Sequence, residues 1–153
     1  MNRVTLRCLP LRCLPLLLLL AVGAPATART SLYERLGGQS AIESISATLI
    51  DRVVADPVMG RSFKGTKLPR IKQKLAEQLC ELTGGPCKYS GDPMPEVHAG
   101  HHITEADFYG MVESLRTVLR ERGTGLAETN ELLRLLAPMK RDVVEGPAKR
   151  RAP

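Results

Sequence analysis

The residues best able to do chemistry in this 153-residue chain are gathered in one run, Met94-Pro95-Glu96-Val97-His98-Ala99-Gly100-His101-His102-Ile103-Thr104, which holds all three histidines. Imidazole titrates near neutrality and is the commonest side-chain ligand of transition metals, so the run is a candidate for metal ligation. A ligating imidazole needs one nitrogen unprotonated and the other held by an acceptor such as a backbone carbonyl. His98 follows Val97 and precedes Ala99-Gly100, small residues that leave room for a flat group to approach. His101 and His102, three and four residues on, read as a polar corner. Cys80 and Cys87 stand just upstream, either as a disulfide or as free thiols. With His98 and one of His101 or His102 they would also supply four N and S donors for tetrahedral zinc, although the spacings fit no compact knuckle. Other chemistries lack their residues: there is no Gly-rich phosphate loop, no serine elbow and no Cys-x-x-Cys pair. The acids are scattered as helix-surface charges, and no two form an acid/base pair.

Helices must position these groups. Ser31 to Leu36 predicts a short helix with Ser31 as cap and Glu34 at the capping-box position, ended by Gly37-Gly38. A longer helix is expected from about Gln39 to Ala55, with Ile42, Ile45, Leu49 and Val53 on one face, stopped by Asp56-Pro57. Val58 to Leu68 reads as turn-like around Gly60 and Gly65. From Pro69 to Thr83 the stripe Ile71, Leu75, Leu79, Leu82 is helical again, and Gly84-Gly85-Pro86 ends it. Cys87 to Pro95 reads as a loop. Thr104 with Asp107 caps the clearest amphipathic helix, carrying Phe108, Met111, Val112, Leu115, Val118 and Leu119 up to Gly123. The last helix is expected from about Thr129 to Val144, broken near Leu136 by Pro138. No window reads as a strand. The fold class is therefore all-α, about five helices around a core of Leu, Ile, Val and Met, able to leave a slot for a flat apolar group.

The two ends carry different information. Arg3 and Arg7, the apolar run Leu14 to Val22 and the small residues Ala26-Thr27-Ala28 read as a secretory signal peptide over 1–28, cleaved near Ala28. The apolar stretch is too short for a comfortable membrane span. The expectation is an exported, periplasmic protein with no membrane anchor. The net charge of +6 comes from Arg3, Arg7 and Arg12 at one end and Lys149, Arg150 and Arg151 in the tail 146–153, read as disordered, so the body from Arg29 to Glu145 is neutral. Without a basic face, nucleic-acid binding loses its main support.

Taken in order, several segments resemble group I truncated haemoglobins. They are Ser31-Leu32-Tyr33-Glu34-Arg35-Leu36-Gly37-Gly38, then Arg52-Val53-Val54-Ala55-Asp56-Pro57 followed by Phe63. Next come Thr83-Gly84-Gly85-Pro86 with Tyr89-Ser90-Gly91 and Met94, and finally Val97-His98-Ala99-Gly100 with Ile103-Thr104 and Phe108. The resemblance covers about 31–145. It implies a shortened globin-like fold, a two-over-two helical sandwich around haem b, with His98 as the proximal iron ligand. By the same resemblance Phe63 packs on the haem face, Tyr89 lies near the propionates, and the Gly-Gly pairs are hinges. The Cys80/Cys87 bracket looks like an exported branch of that family, and the two are read as a disulfide.

On the distal side this chain departs from the family pattern. It has Ile50, preceded by Leu49, where a tyrosine often stands, and Leu75, with Ile71 one turn earlier, where a glutamine often stands. Lys74 and Gln78 are the polar candidates nearby. Lys74 could meet a propionate or, if neutral, the iron, but reads better as a solvated face charge, because neutralising a lysine requires strong desolvation. The resemblance implies reversible binding of O2 or other diatomic ligands (NO, CO) in an apolar distal pocket with fast O2 release. NO dioxygenation is disfavoured, leaving peroxidase-like or nitrite reductase chemistry as minor activities, with an unidentified reductase as partner and a monomer or weak dimer as the assembly. The contrasting readings are an exported zinc-binding helical protein using Cys80, Cys87 and His98, and a helical interaction module without a cofactor.

Overall fold

The computed structural model describes residues 30–145; the expected signal peptide and basic tail lie outside the described residues. Helix α1 (Leu32–Arg35) starts from the expected capping box: Ser31 Oγ accepts from the Glu34 N–H at 3.2 Å, and Glu34 Oε2 from the Ser31 N–H at 3.0 Å. The chain then turns sharply at Gly37, whose φ of +104° is closed to L side chains at low cost. Helix α2 (Gly38–Ala55) buries Ile42, Ile45, Leu49, Ile50 and Val53. Asp56 ends it and serves the next element, its Oδ1 accepting from the N–H groups of Val58 and Met59 at 2.8 and 2.9 Å at the start of a 3-10 turn, Met59–Phe63. Helix α3 (Leu68–Leu82) carries Pro69 in its first turn, where no amide donor is needed.

Helix α4 (Met94–His98) was not expected from sequence, since the Pro-rich stretch up to Pro95 reads as loop. Pro93 is its N-cap and Pro95 lies in its first turn, so both prolines occupy positions that a helix tolerates. Helix α5 (Glu105–Glu121) has the Thr104–Asp107 capping box, with reciprocal bonds of 3.2 and 2.9 Å. Helix α6 (Leu126–Leu136) begins about three residues earlier than expected. Pro138 breaks it as expected, into a 3-10 turn Ala137–Met139 and a last short helix α7 (Lys140–Val143).

The described residues contain no strand. Helices α2 and α3 pack on each other, α2 crosses α5, and α5 packs on α6, with α1 closing one end and α4 lying against α7. The core lies toward the α1 end, where Leu32, Ile42, Ile45, Leu79, Cys80, Val118, Leu119 and Leu132 are nearly or wholly inaccessible. The 3-10 turn Met59–Phe63, α4 and α7 bury no residue fully. At that end the space between the layers is open.

Candidate functional site

The open end is a cavity of about 460 Å³, within the range of small-molecule and cofactor sites. One wall comes from α2 and α3: Ile50, Val53, Ile71 and Leu75, with Phe63 from the 3-10 turn beside them. The other comes from α4 and α5, with Met94, Val97, His98, Phe108 and Met111, and Val143 of α7 adds to it. Phe63, Ile71, Leu75 and Met111 are only partly buried although they belong to the interior. Apolar side chains left half-covered inside a cavity are what a flat apolar group would cover.

His98 is the last residue of α4 and half-buried. Its Nδ1 lies 2.8 Å from the Met94 carbonyl oxygen, one turn back. A carbonyl can only accept, so Nδ1 carries a proton, and in the neutral ring Nε2 is then the nitrogen with the lone pair. This is the tautomer expected of a ligating imidazole, with the other nitrogen held by a backbone carbonyl.

After α4 the chain takes left-handed backbone at Gly100 (φ +79°) and, less usually, at His102 (φ +54°). His101 is not a solvent corner: it lines the cavity, its Nδ1 is 3.1 Å from the Ser62 carbonyl, and its own carbonyl accepts from Ser62 Oγ at 3.4 Å. His102 is on the surface, its Nδ1 3.3 Å from Glu145 Oε2. Burial would raise the Glu145 pKa, but the backbone N–H groups of His102 and Gly100 outweigh it and hold the carboxyl below its ordinary value. Asp107, nearly buried, is raised by burial and lowered more by bonds from Thr104 and Arg61, for a net lowering. The Arg61–Asp107 ion pair spans 2.7 Å and ties the 3-10 turn to the start of α5.

Lys67, Arg70 and Lys74 stand around the cavity. Lys74 is not a solvated face charge. Its Nζ is 2.7 Å from Glu77 Oε2 and 2.6 Å from Ser90 Oγ, so its donors are engaged in a local network. Lys74 and Ser90 together lower the Glu77 pKa from 4.5 to about 2. Gln78 lines the cavity, but its Nε2 is taken up by the thioethers of Met94 at 3.3 Å and Met139 at 3.6 Å.

Leu49 must be corrected. It was expected beside Ile50 in the pocket, but it is 2% exposed within the core and does not line the cavity. Neighbouring helix positions point about 100° apart, so Ile50 faces the cavity while Leu49 faces the packed layer.

Tyr89 lines the cavity, and its hydroxyl donates to the Asp92 carbonyl at 3.0 Å. Gly91 is required beneath it, because a Cβ there would collide with the tyrosine ring. The loop bearing Tyr89 is stitched to α3. Cys80 and Cys87 form a disulfide with Cα atoms 5.7 Å apart. Glu81 accepts from the Tyr89 N–H at 3.0 Å and from Lys88 at 3.2 Å, and Glu77 accepts from the Ser90 N–H at 3.2 Å. The disulfide removes two of the ligands that zinc would need. Among the described residues no group of three or more His, Cys, Asp and Glu could hold a metal ion.

Sequence reasoning missed Glu77, Glu81 and Ser62, which hold the site together, and Lys67 and Arg70 around the cavity. A carboxylate on a helix face carries no signal that a loop will fold back onto it. For Ser62, the only hint was its place next to Phe63.

A family model described as bacterial-like globin matches residues 31–145. The group 1 truncated hemoglobin of Mycolicibacterium paratuberculosis is 34% identical over 77% of this chain and 87% of its own length. That of Nostoc sp. is 30% identical over 72% and 94%. Among solved structures, the truncated hemoglobin of Tetrahymena pyriformis in an Fe(III) form superposes with a TM-score of 0.73 at 28% identity, covering 76% of this chain and all of that one. The 2/2 hemoglobin of Synechococcus sp., solved in the cyanomet state with covalently attached heme, gives 0.70 at 25% identity, covering 75% and 98%. A family model matched over 31–145 and relatives at 34% and 30% identity over most of both chains place this chain in the bacterial-like globin family, among the group 1 truncated haemoglobins.

Proposed function

We propose that the cavity holds haem b with His98 Nε2 as the protein's ligand to the iron, and that the protein reversibly binds diatomic gases, O2, NO and CO. The observation that carries the reading is the His98 ring, fixed by the Met94 carbonyl so that one nitrogen is free in an apolar cavity. The residues fit the group: Phe63, Ile71, Leu75 and Met111 offer half-covered apolar surface, and Lys67 and Arg70 offer cations to its two carboxylates. When bound, the haem supplies a ferrous iron with a coordination position open to a gas.

The chain's own residues set how that position behaves. The Met94 carbonyl makes His98 a stronger donor and stops its ring from rotating. Ile50, Val53, Ile71 and Leu75 exclude water from the opposite wall and present no hydrogen-bond donor. Gln78, the nearest amide, is engaged by Met94 and Met139. Fast O2 release follows, which argues against NO dioxygenation as the main activity. The N-terminal segment supports export, and the Cys80–Cys87 disulfide suits an oxidising compartment.

The test is an absorption spectrum of the purified protein and of His98→Ala. A Soret band in the wild type that is lost or strongly shifted in the variant supports the reading. A colourless protein with stoichiometric zinc would replace it with a zinc site. A stopped-flow O2 dissociation rate as slow as that of donor-stabilised globins would remove the claim of fast release.

A further inference from the structure

We infer that His101 is a positioning residue for His98, acting through its Nδ1–H bond to the Ser62 carbonyl. The inference rests on the reading of His98 as the iron ligand.

Helix α4 has five residues and buries none of them fully, so it cannot hold its own place. A helix this short is unstable alone, and its position is set by what its ends are tied to. At its start the ties are the Met94 sulfur, in contact with Gln78 of α3, and the packing of α4 on α7. Beyond its end, the His101 N–H donates to the His98 carbonyl at 3.2 Å. The His101 ring then donates from Nδ1 to the Ser62 carbonyl at 3.1 Å. Ser62 is followed by Phe63, which lines the cavity. Two hydrogen bonds therefore connect the ligand residue on one wall with the aromatic beside the other.

His101 and His102 are chemically equal and adjacent, yet only one is built into the site. His101 is half-buried, lines the cavity and reaches an element 39 residues away in sequence. The His102 side chain is 88% exposed and meets Glu145 at the surface. The other ties between the same two segments are the Ser62 Oγ bond to the His101 carbonyl at 3.4 Å and, further along the chain at the first turn of α5, Arg61 with Asp107. The residues directly after His98 are held from the C-terminal side by Glu145, which takes the N–H groups of Gly100 and His102, and from the Phe63 side by His101. Losing the Nδ1–H bond would strand the Ser62 carbonyl and free that stretch to move, and with it the tilt of the His98 ring. A carbonyl acceptor demands a donor at the Nδ1 position, which an asparagine amide supplies and a leucine or a glutamine does not.

The test compares His101→Asn, His101→Gln and His101→Leu as full-length, haem-loaded proteins. The readout is the iron–histidine stretching band of the ferrous, ligand-free form in resonance Raman spectra, which reports His98 directly and which a loss of global stability alone would not move. Amide hydrogen exchange at Phe63 and Ala99 is measured beside it. The expected result is a band shifted or broadened in His101→Gln and His101→Leu, faster exchange at both amides by about tenfold, and recovery of both in His101→Asn. A His102→Leu control should match the wild type. An unchanged band in all three His101 variants overturns the inference, as does an equal change in all three, which would assign the effect to the bulk of the imidazole ring, and as does recovery in His101→Gln but not in His101→Asn, which would assign it to the cavity-side nitrogen. If no Soret band forms in the wild type, it is the His98 reading that fails. Should His101→Leu fail to fold, the Asn and Gln pair decides alone.

Discussion

Leu75 faces the cavity from α3, with Ile71 one turn before it and Ile50 across from it on α2. A donor placed at this wall would meet whatever gas the iron holds, whereas the present side chains can only exclude water. Leu75→Gln should therefore slow O2 release. One hydrogen bond is worth about 1 to 1.5 kcal/mol, or roughly tenfold in rate. Stopped-flow mixing with excess CO measures it, and an unchanged rate would mean that Leu75 is not beside the bound gas. At this scale the sequence was informative about which residue types are present and poor about where their polar atoms go. His98, Phe63, Ile50, Leu75 and Tyr89 could be named in advance because resemblance aligns backbone positions, and backbone positions decide which residues enter a cavity. The engagements of Gln78 by two thioethers and of Lys74 by Glu77 and Ser90 depend on rotamers and on a loop that closes over α3. Leu49 was misplaced because a stripe of apolar residues wide enough to serve both core and cavity does not say which edge is which.

Helix α3 and the loop after it behave as one element because two carboxylates of α3, Glu77 and Glu81, and one covalent bond join them. Glu77 takes bonds from Lys74 and Ser90, and Glu81 from Tyr89 and Lys88. With the Glu77 pKa at about 2 when folded against an ordinary 4.5, the carboxylate's contribution is fully present above 4.5 and is lost as the pH falls toward 2. Glu81 is lowered as well, and its contribution is lost in the same direction. Acid unfolding followed by circular dichroism should show stability falling between pH 5 and 2, with a shallower fall in Glu77→Gln. Equal slopes would mean that the bonds to Lys74 and Ser90 add nothing in solution. The disulfide closes a separation of seven residues, for which the chain-entropy model gives about 2.5 kcal/mol. Cys87→Ser should lower the urea unfolding free energy by about that much at most, and a variant as stable as the parent would show that Glu77 and Glu81 suffice. Element types were legible wherever a cap or breaker marked an end, as with Ser31, Thr104, Asp56-Pro57 and Pro138. Helix α4 was missed because its prolines, which usually signal loop, here occupy the two positions at a helix start where proline is harmless.

Across the whole molecule, packing and binding are divided between two ends. Residues that water hardly reaches, such as Ile42, Ile45, Leu79, Val118, Leu119 and Leu132, join α2, the second half of α3, the second half of α5 and α6. The 3-10 turn Met59–Phe63, α4 and α7 contribute none, and what they enclose is the cavity. Cooperative stability follows buried apolar contact, so the two ends should differ in how much they depend on the bound cofactor. A ligand that binds only the folded cavity adds its binding free energy to the elements that form it, about 4 kcal/mol at a thousandfold excess over Kd. Removing haem should therefore leave α2 between Ile42 and Val53, and α5 around Val118 and Leu119, with slow amide exchange. The amides of α4 and α7 should approach the unprotected rate, including Val97 and His98, where the proposed iron ligand stands. Hydrogen exchange on the haem-loaded and haem-free protein separates this from a single cooperative unit, in which every amide would speed up by the same factor. The division also explains why apolar periodicity marked core and cavity residues alike, Leu79 and Leu75 on one stripe of α3, without telling them apart. Periodicity marks apolar faces, and those at the walls of the cavity meet a group that the chain does not encode.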